Sequence, residues 1–132
     1  MGAFSIWHWL ILIVVLGAMF SYIMQHRSLA RAVNEKGGNL SDFQPILLIV
    51  PIVGFFWYFI LNIKLRSAMI GIGRADLANG AWFVLAIAAG LFYMLTALWQ
   101  GVGLPYSLAI YLAWLALGIS HWFFLAKAAK AL

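Results

Sequence analysis

Charge is what this sequence has least of. Only 8% of its 132 residues are charged and 67% are hydrophobic, whereas an ordinary soluble domain carries about 25% charged residues. A chain this short forms one domain, and a core in water would leave too little polar surface to cover it. Water is therefore excluded as its main solvent. Cysteine is absent, which removes disulfides, thiolate metal sites and thiol nucleophiles together. The three acidic residues, Glu35, Asp42 and Asp76, all fall between apolar runs. No span thus carries the ionisable group that an ion-coupled carrier normally uses.

What is present is apolar sequence in four blocks, at residues 4–24, 45–63, 81–99 and 106–126. The first has 21 residues and no charge, enough at 1.5 Å per residue to cross a hydrocarbon layer of roughly 30 Å. It has no basic segment before it and no small-residue cleavage signature after it, so it is expected to be retained. Residues 25–44 are polar and turn at Gly37, Gly38 and Asn39, with a helical extension expected before those glycines. The third block sets Trp82 and Trp99 roughly 26 Å apart along a helix, as an interfacial aromatic belt requires. A short Gly/Pro turn joins it to the fourth block as an antiparallel hairpin. The expected fold is an all-α polytopic membrane protein of one domain, residues 1–132.

The second block holds the ambiguity. Pro51, followed by Gly54, breaks helical hydrogen bonding where lipid cannot replace it. If the block still crosses, Arg27, Arg31 and Lys36 lie on one side and the other five basic residues on the opposite side. If it is a re-entrant hairpin, all eight basic residues share one side. The rule that Lys and Arg collect on the cytoplasmic side favours the hairpin, with three full spans, the N-terminus periplasmic and the C-terminus cytoplasmic. Four full spans is the alternative. The net charge of +5 belongs to membrane flanks rather than to one continuous nucleic-acid-binding face.

The stretch Phe4-Ser5-Ile6-Trp7-His8-Trp9-Leu10-Ile11 resembles the start of the pore-forming subunit of the twin-arginine protein translocase. That likeness covers about ten residues. The translocase family continues with a Phe-Gly hinge and a Lys-rich amphipathic helix, whereas this chain reads Phe20-Ser21-Tyr22 and adds three apolar blocks, so the translocase function does not transfer. Residues 22–132 are similar to small bacterial inner-membrane proteins of unassigned function. In these, an Ile-Pro-x-Phe-Asn-x-x-Trp break precedes a basic helix and a last span ending near Trp. Here the break reads Val50-Pro51-Ile52-Val53-Gly54-Phe55-Phe56-Trp57, then Lys64 to Ser67, then His121-Trp122. This resemblance implies the bacterial inner membrane and brings no activity.

Candidate chemistry is sparse. His8 and His121, each beside tryptophan, could ligate a haem through two imidazoles. The re-entrant arrangement sets them near opposite surfaces, so that topology and haem ligation exclude each other, and no cofactor is expected. Lys64, Arg66, Arg74, Lys127 and Lys130 flank the spans and are expected to contact anionic lipid head groups. Small residues recur at four-residue spacing at Gly17 and Ser21, Ala86 and Gly90, Ala109 and Ala113, and Ala116 and Ser120. They allow close helix packing, within this chain or against a partner. Gly71-x-Gly73-Arg74 is too short for a phosphate fingerprint and follows no strand.

The function expected on these grounds is a non-enzymatic accessory, assembly or interaction protein, with lipid, another membrane complex or its own copies as partners. A small oligomeric transporter or channel is the alternative, with a haem-binding redox subunit after it.

Overall fold

The structure is a computed structural model in which residues 5–41, 44–50, 52–101, 103 and 107–132 are described; Phe4, Asp42, Pro51, Pro105 and Tyr106 lie outside them. The elements are α1 (Ile6–Glu35), a 3-10 helix (Gln44–Ile49), α2 (Val53–Gly71), the single turn α3 (Ala75–Ala78), α4 (Ala81–Gly101) and α5 (Leu108–Ala131). No strand occurs among the described residues. Four stretches, namely α1, α2, α3 with α4, and α5, are long and apolar enough to cross a membrane. The chain is therefore an all-α multi-pass membrane protein.

Three helices outrun the apolar blocks that announce them. α1 continues past Met24 through Arg27 and Arg31, α2 past Ile63 through Lys64 and Arg66, and α5 past Ala126 through Lys127 and Lys130. Lys, Arg and Glu are good helix formers, so a charge ends contact with hydrocarbon without ending the helix. The chain turns where glycine takes left-handed backbone angles, Gly37 at φ +100° after α1 and Gly73 at φ +81° after α2. α5 begins where Ser107 Oγ accepts the Ile110 N–H at 3.3 Å.

The buried core lies at one end of the bundle. It joins Leu29, Ala30 and Val33 of α1, Leu61, Leu65 and Met69 of α2, Ala78 of α3, Trp82 of α4, and Leu125 and Ala128 of α5. These are the C-terminal parts of α1, α2 and α5 and the N-terminal part of α4. The first three helices therefore run in the same direction and α4 runs against them. Trp82 corrects an expectation: it is only 2% exposed and donates its indole N–H to the Leu77 carbonyl at 2.6 Å. It is a core residue rather than one member of a belt. The adjacent Gly80 and the α3 turn pack against its ring within the core.

Because α1 and α2 run the same way, the connection must carry the chain back. It first folds against the end of α1, where Asn34 and Leu40 exchange two hydrogen bonds at 2.6 and 2.8 Å. The 3-10 helix then packs against both α1 and α2. Gly54 is held so close to it that an added Cβ would lie 2.5 Å from the Leu48 carbonyl oxygen. Ile52, at φ +65°, sits in the sterically unfavourable left-handed region. The break expected from Pro51 to Gly54, of which Pro51 lies outside the described residues, is at Gly54 a tight fold-back of the 3-10 helix on the first turn of α2.

Length alone would let α2 cross, but its position in the bundle does not use that length. Tyr22, Tyr58, Ala86 and His121 meet at one level, through side chains of α1, α2 and α5 and a backbone carbonyl of α4. At 1.5 Å per residue, α1 starts roughly 24 Å above that level, α5 roughly 20 Å above it, and α4 ends roughly 22 Å above it. α2 starts only roughly 8 Å above it. On the other side Arg27, Lys64 and Lys127 all lie roughly 8–9 Å below. The 3-10 helix and α2 therefore form a hairpin that rises from the basic end and turns back partway, while the other three helices continue.

Above the hairpin the N-terminal half of α1 is exposed. Every residue from Ile6 to Phe20 is exposed, Ile6 at 71% and Phe20 at 64%. In water such a surface would be prohibitive; hydrocarbon is its natural solvent.

Candidate functional site

At the level where the hairpin turns, two helices repeat one local pattern. Tyr22 and His26 on α1, and Tyr58 and Asn62 on α2, are each four residues apart and so lie on one helix face. In both pairs the second side chain bonds the backbone carbonyl of the first. His26 Nδ1–H donates to Tyr22 O at 3.0 Å and Asn62 Nδ2 to Tyr58 O at 2.9 Å. His26 Nε2 then faces the Asn62 amide at 3.5 Å. α5 supplies His121, whose ring centroid is 5.4 Å from that of His26, nearly edge to face.

The backbone of α4 fixes the direction of the Tyr58 proton. A carbonyl can only accept, so the Tyr58 hydroxyl donates to Ala86 O at 2.9 Å. The Tyr22 hydroxyl donates to Tyr58 Oη at 3.2 Å. His121 Nδ1 lies against the Tyr22 hydroxyl and 3.2 Å from that of Tyr58. His121 Nε2 and Asn62 Oδ1 are buried polar atoms without a hydrogen-bond partner. His26, Asn62 and His121 are all fully buried. One residue along, Trp122 Nε1–H donates to Ser21 Oγ at 3.1 Å, a second tie between α5 and α1. In lipid such bonds hold helices together, each contributing on the order of 1 kcal/mol.

Above this cluster is a cavity of about 710 Å³, open laterally. It exists because the hairpin stops: α1 on one side and the α4–α5 pair on the other have no fourth helix between them. Met19, Leu48, Phe55, Leu115 and Ile119 are among its apolar walls, and Ser21, Tyr22 and Tyr58 are at its base. Its volume falls in the range of about 300–1,000 Å³ typical of small-molecule sites.

The residues singled out in the sequence are distributed unevenly around this site. His121 is central, but His8 is exposed and roughly 21 Å up α1 from Tyr22, so the two histidines do not meet. His8 Nδ1 instead lies 2.7 Å from Ser5 Oγ. Among the described residues no group of three or more His, Cys, Asp or Glu converges on a metal position. Ala86 and Gly90 are buried against α2; a Cβ on Gly90 would lie 2.5 Å from Phe59 Cζ. Ser21 and Ser120 are half-buried between helices, whereas Gly17, Ala109, Ala113 and Ala116 face outward.

The basic residues gather at the core end, several with partners inside the chain. Lys64 stands over the Trp57 ring at 5.1 Å, Arg66 over Phe83 at 5.1 Å, and Lys127 over Phe124 at 5.7 Å. Arg66 also donates to Asn79 at 2.8 Å. Arg74 binds both Asp76 carboxylate oxygens at 3.0 Å and the Ala131 carbonyl at 3.0 Å. Lys130 is exposed.

Tyr22, His26 and Tyr58 escape the sequence reading. Their signal is the repeated four-residue spacing of a tyrosine and a polar side chain in two otherwise apolar helices. Compared with known proteins, the chain matches no family model, no curated protein and no solved structure.

Proposed function

We propose that this chain is a non-catalytic accessory protein of the bacterial inner membrane that holds the tail of a membrane-soluble amphiphile in its lateral cavity. In this reading the N-terminus is periplasmic, the C-terminus cytoplasmic, and the basic end contacts anionic lipid. The observation that carries it is the void of about 710 Å³ left above the half-depth hairpin. An apolar space that opens into hydrocarbon is filled by a chain from the membrane, because an empty one forfeits dispersion contacts on every wall.

Gly118 lines the cavity, and a Cβ there would meet nothing within 4 Å. Gly118→Leu therefore fills the space without displacing the protein. Extraction in native membrane discs followed by lipid mass spectrometry tests the proposal. Wild type is expected to retain one lipid species above its abundance in the surrounding membrane, and Gly118→Leu to lose that enrichment. Identical lipid profiles for both proteins would overturn it.

A second reading, a small oligomeric transporter or channel, draws on the same hairpin, since helices interrupted at membrane depth present free backbone groups to a substrate. Solute flux in liposomes containing the protein alone would favour it.

A further inference from the structure

Four of the basic residues meet partners within the chain: Lys64 and Lys127 stand over rings, Arg66 donates to Asn79, and Arg74 pairs with Asp76. Arg27 differs. Its side chain is half-buried, and its Nε is shut from solvent without a hydrogen-bond partner among the described residues. It lies roughly 8 Å below the Tyr22 level, at the height where α2 and α5 also turn from apolar to basic at Lys64 and Lys127. That shared height is the edge of the hydrocarbon.

From there a groove of about 400 Å³ follows α1 on the side away from the core, lined by Met24, Arg27, Ser28, Arg31, Ala32 and Glu35. Spacing of four residues sorts these into two adjacent rows. Met24, Ser28 and Ala32 make an uncharged row that, past Met24, is small enough to leave room. Arg27, Arg31 and Glu35 make a charged row in which two cations precede one anion, each step roughly 6 Å along the helix. A phospholipid whose tails lie along the apolar part of α1 meets this row in the same sequence. Its phosphate comes first, at the hydrocarbon edge, where guanidinium groups bind it through paired charge-assisted hydrogen bonds. A cationic group of its head comes next.

We infer that this groove binds a zwitterionic phospholipid with a primary amine, phosphatidylethanolamine being the simplest, with its phosphate on Arg27 and Arg31 and its ammonium on Glu35. An anionic head without an amine leaves Glu35 facing negative charge. A choline head has the positive charge but no N–H to donate to the carboxylate. The site depends on the basic end meeting the head-group layer and is separate from the lateral cavity.

The test is lipid retention. The full chain is reconstituted in vesicles of equal parts dioleoyl phosphatidylethanolamine, phosphatidylglycerol and phosphatidylcholine, extracted in mild detergent, and its bound lipid counted by mass spectrometry. Wild type is expected to retain the ethanolamine lipid about threefold over each of the others, roughly the strength of one exposed ion pair. Glu35→Gln, an isosteric change at an exposed position, brings the ethanolamine and choline lipids to parity, and Arg27→Gln lowers retention of all three. Excess glycerophosphoethanolamine, the soluble head alone, leaves the lipid in place; its displacing the lipid would overturn a membrane source for the ligand. Equal retention of the three lipids in wild type, still lowered by Arg27→Gln, would overturn the amine assignment and leave a phosphate contact. Retention that neither substitution changes would overturn the site altogether.

Discussion

Gly54 and Leu48 touch backbone to backbone: a methyl group on Gly54 would lie 2.5 Å from the Leu48 carbonyl oxygen and 3.2 Å from that of Leu47. This contact closes the hairpin, because the 3-10 helix can lie against the first turn of α2 only where α2 has no side chain. Gly54→Ala is therefore expected to destabilise the protein by about 1–3 kcal/mol, the usual cost of overpacking. Gly17→Ala, where a Cβ meets nothing within 4 Å, serves as control. Detergent unfolding monitored by circular dichroism separates the two, and equal midpoints would remove the fold-back from the account.

Gly90 of α4 faces Phe59 of α2, and its added Cβ would lie 2.5 Å from Phe59 Cζ and 3.0 Å from Tyr58 Cε1. Gly90→Ala should cost about 1–3 kcal/mol by forcing the helices apart. Phe59→Leu, which withdraws the ring edge, should recover part of that loss. A double-mutant cycle on the unfolding midpoint reads the coupling, and strictly additive effects would mean that the two residues do not meet.

The small-residue spacing at Ala86 and Gly90 was thus legible in the sequence, as were the helical class, the break at Gly54 and the basic end. Each is written in a local pattern of hydropathy, glycine or charge. The Tyr22–Tyr58–His121 cluster was not legible, because it needs the relative rotation and height of α1, α2 and α5, which no single segment encodes. Trp82 misled for a related reason. An aromatic residue at a span's end reads as an interfacial anchor until the turn at Ala78–Gly80 is seen to fold beneath it. His8 and His121 are equally prominent beside their tryptophans, yet only His121 lies on a face that meets another helix.

The cluster predicts cooperative loss. Tyr22→Phe and Tyr58→Phe each remove one hydroxyl from a chain ending on Ala86 O, and each should cost on the order of 1 kcal/mol, as for other bonds between membrane helices. Tyr22 and Tyr58 belong to one hydrogen-bonded chain, and without Tyr58 the Tyr22 hydroxyl keeps only His121 Nδ1, so the double variant should cost clearly less than the sum. Additivity in the unfolding midpoint would show that the hydroxyls act separately.

Arg74 anchors the far end of α5 by donating to the Ala131 carbonyl at 3.0 Å while Asp76 orients its guanidinium. Arg74→Ala should leave the global unfolding midpoint unchanged and fray the last turn of α5. Hydrogen exchange would then accelerate over residues 128–131 only. Unchanged protection there would show that the contact carries no local stability.

We propose that the 3-10 helix and α2 enter and leave the membrane by the basic end. Since the chain has no cysteine, single cysteines at Asn39, Gly73 and Ala131 can be labelled with a membrane-impermeant maleimide in vesicles of known orientation. All three should react from the same, cytoplasmic side, with a cysteine at Ile52 protected from both. Labelling of Asn39 from the side opposite to Gly73 would mean that α2 crosses fully, and would contradict the account.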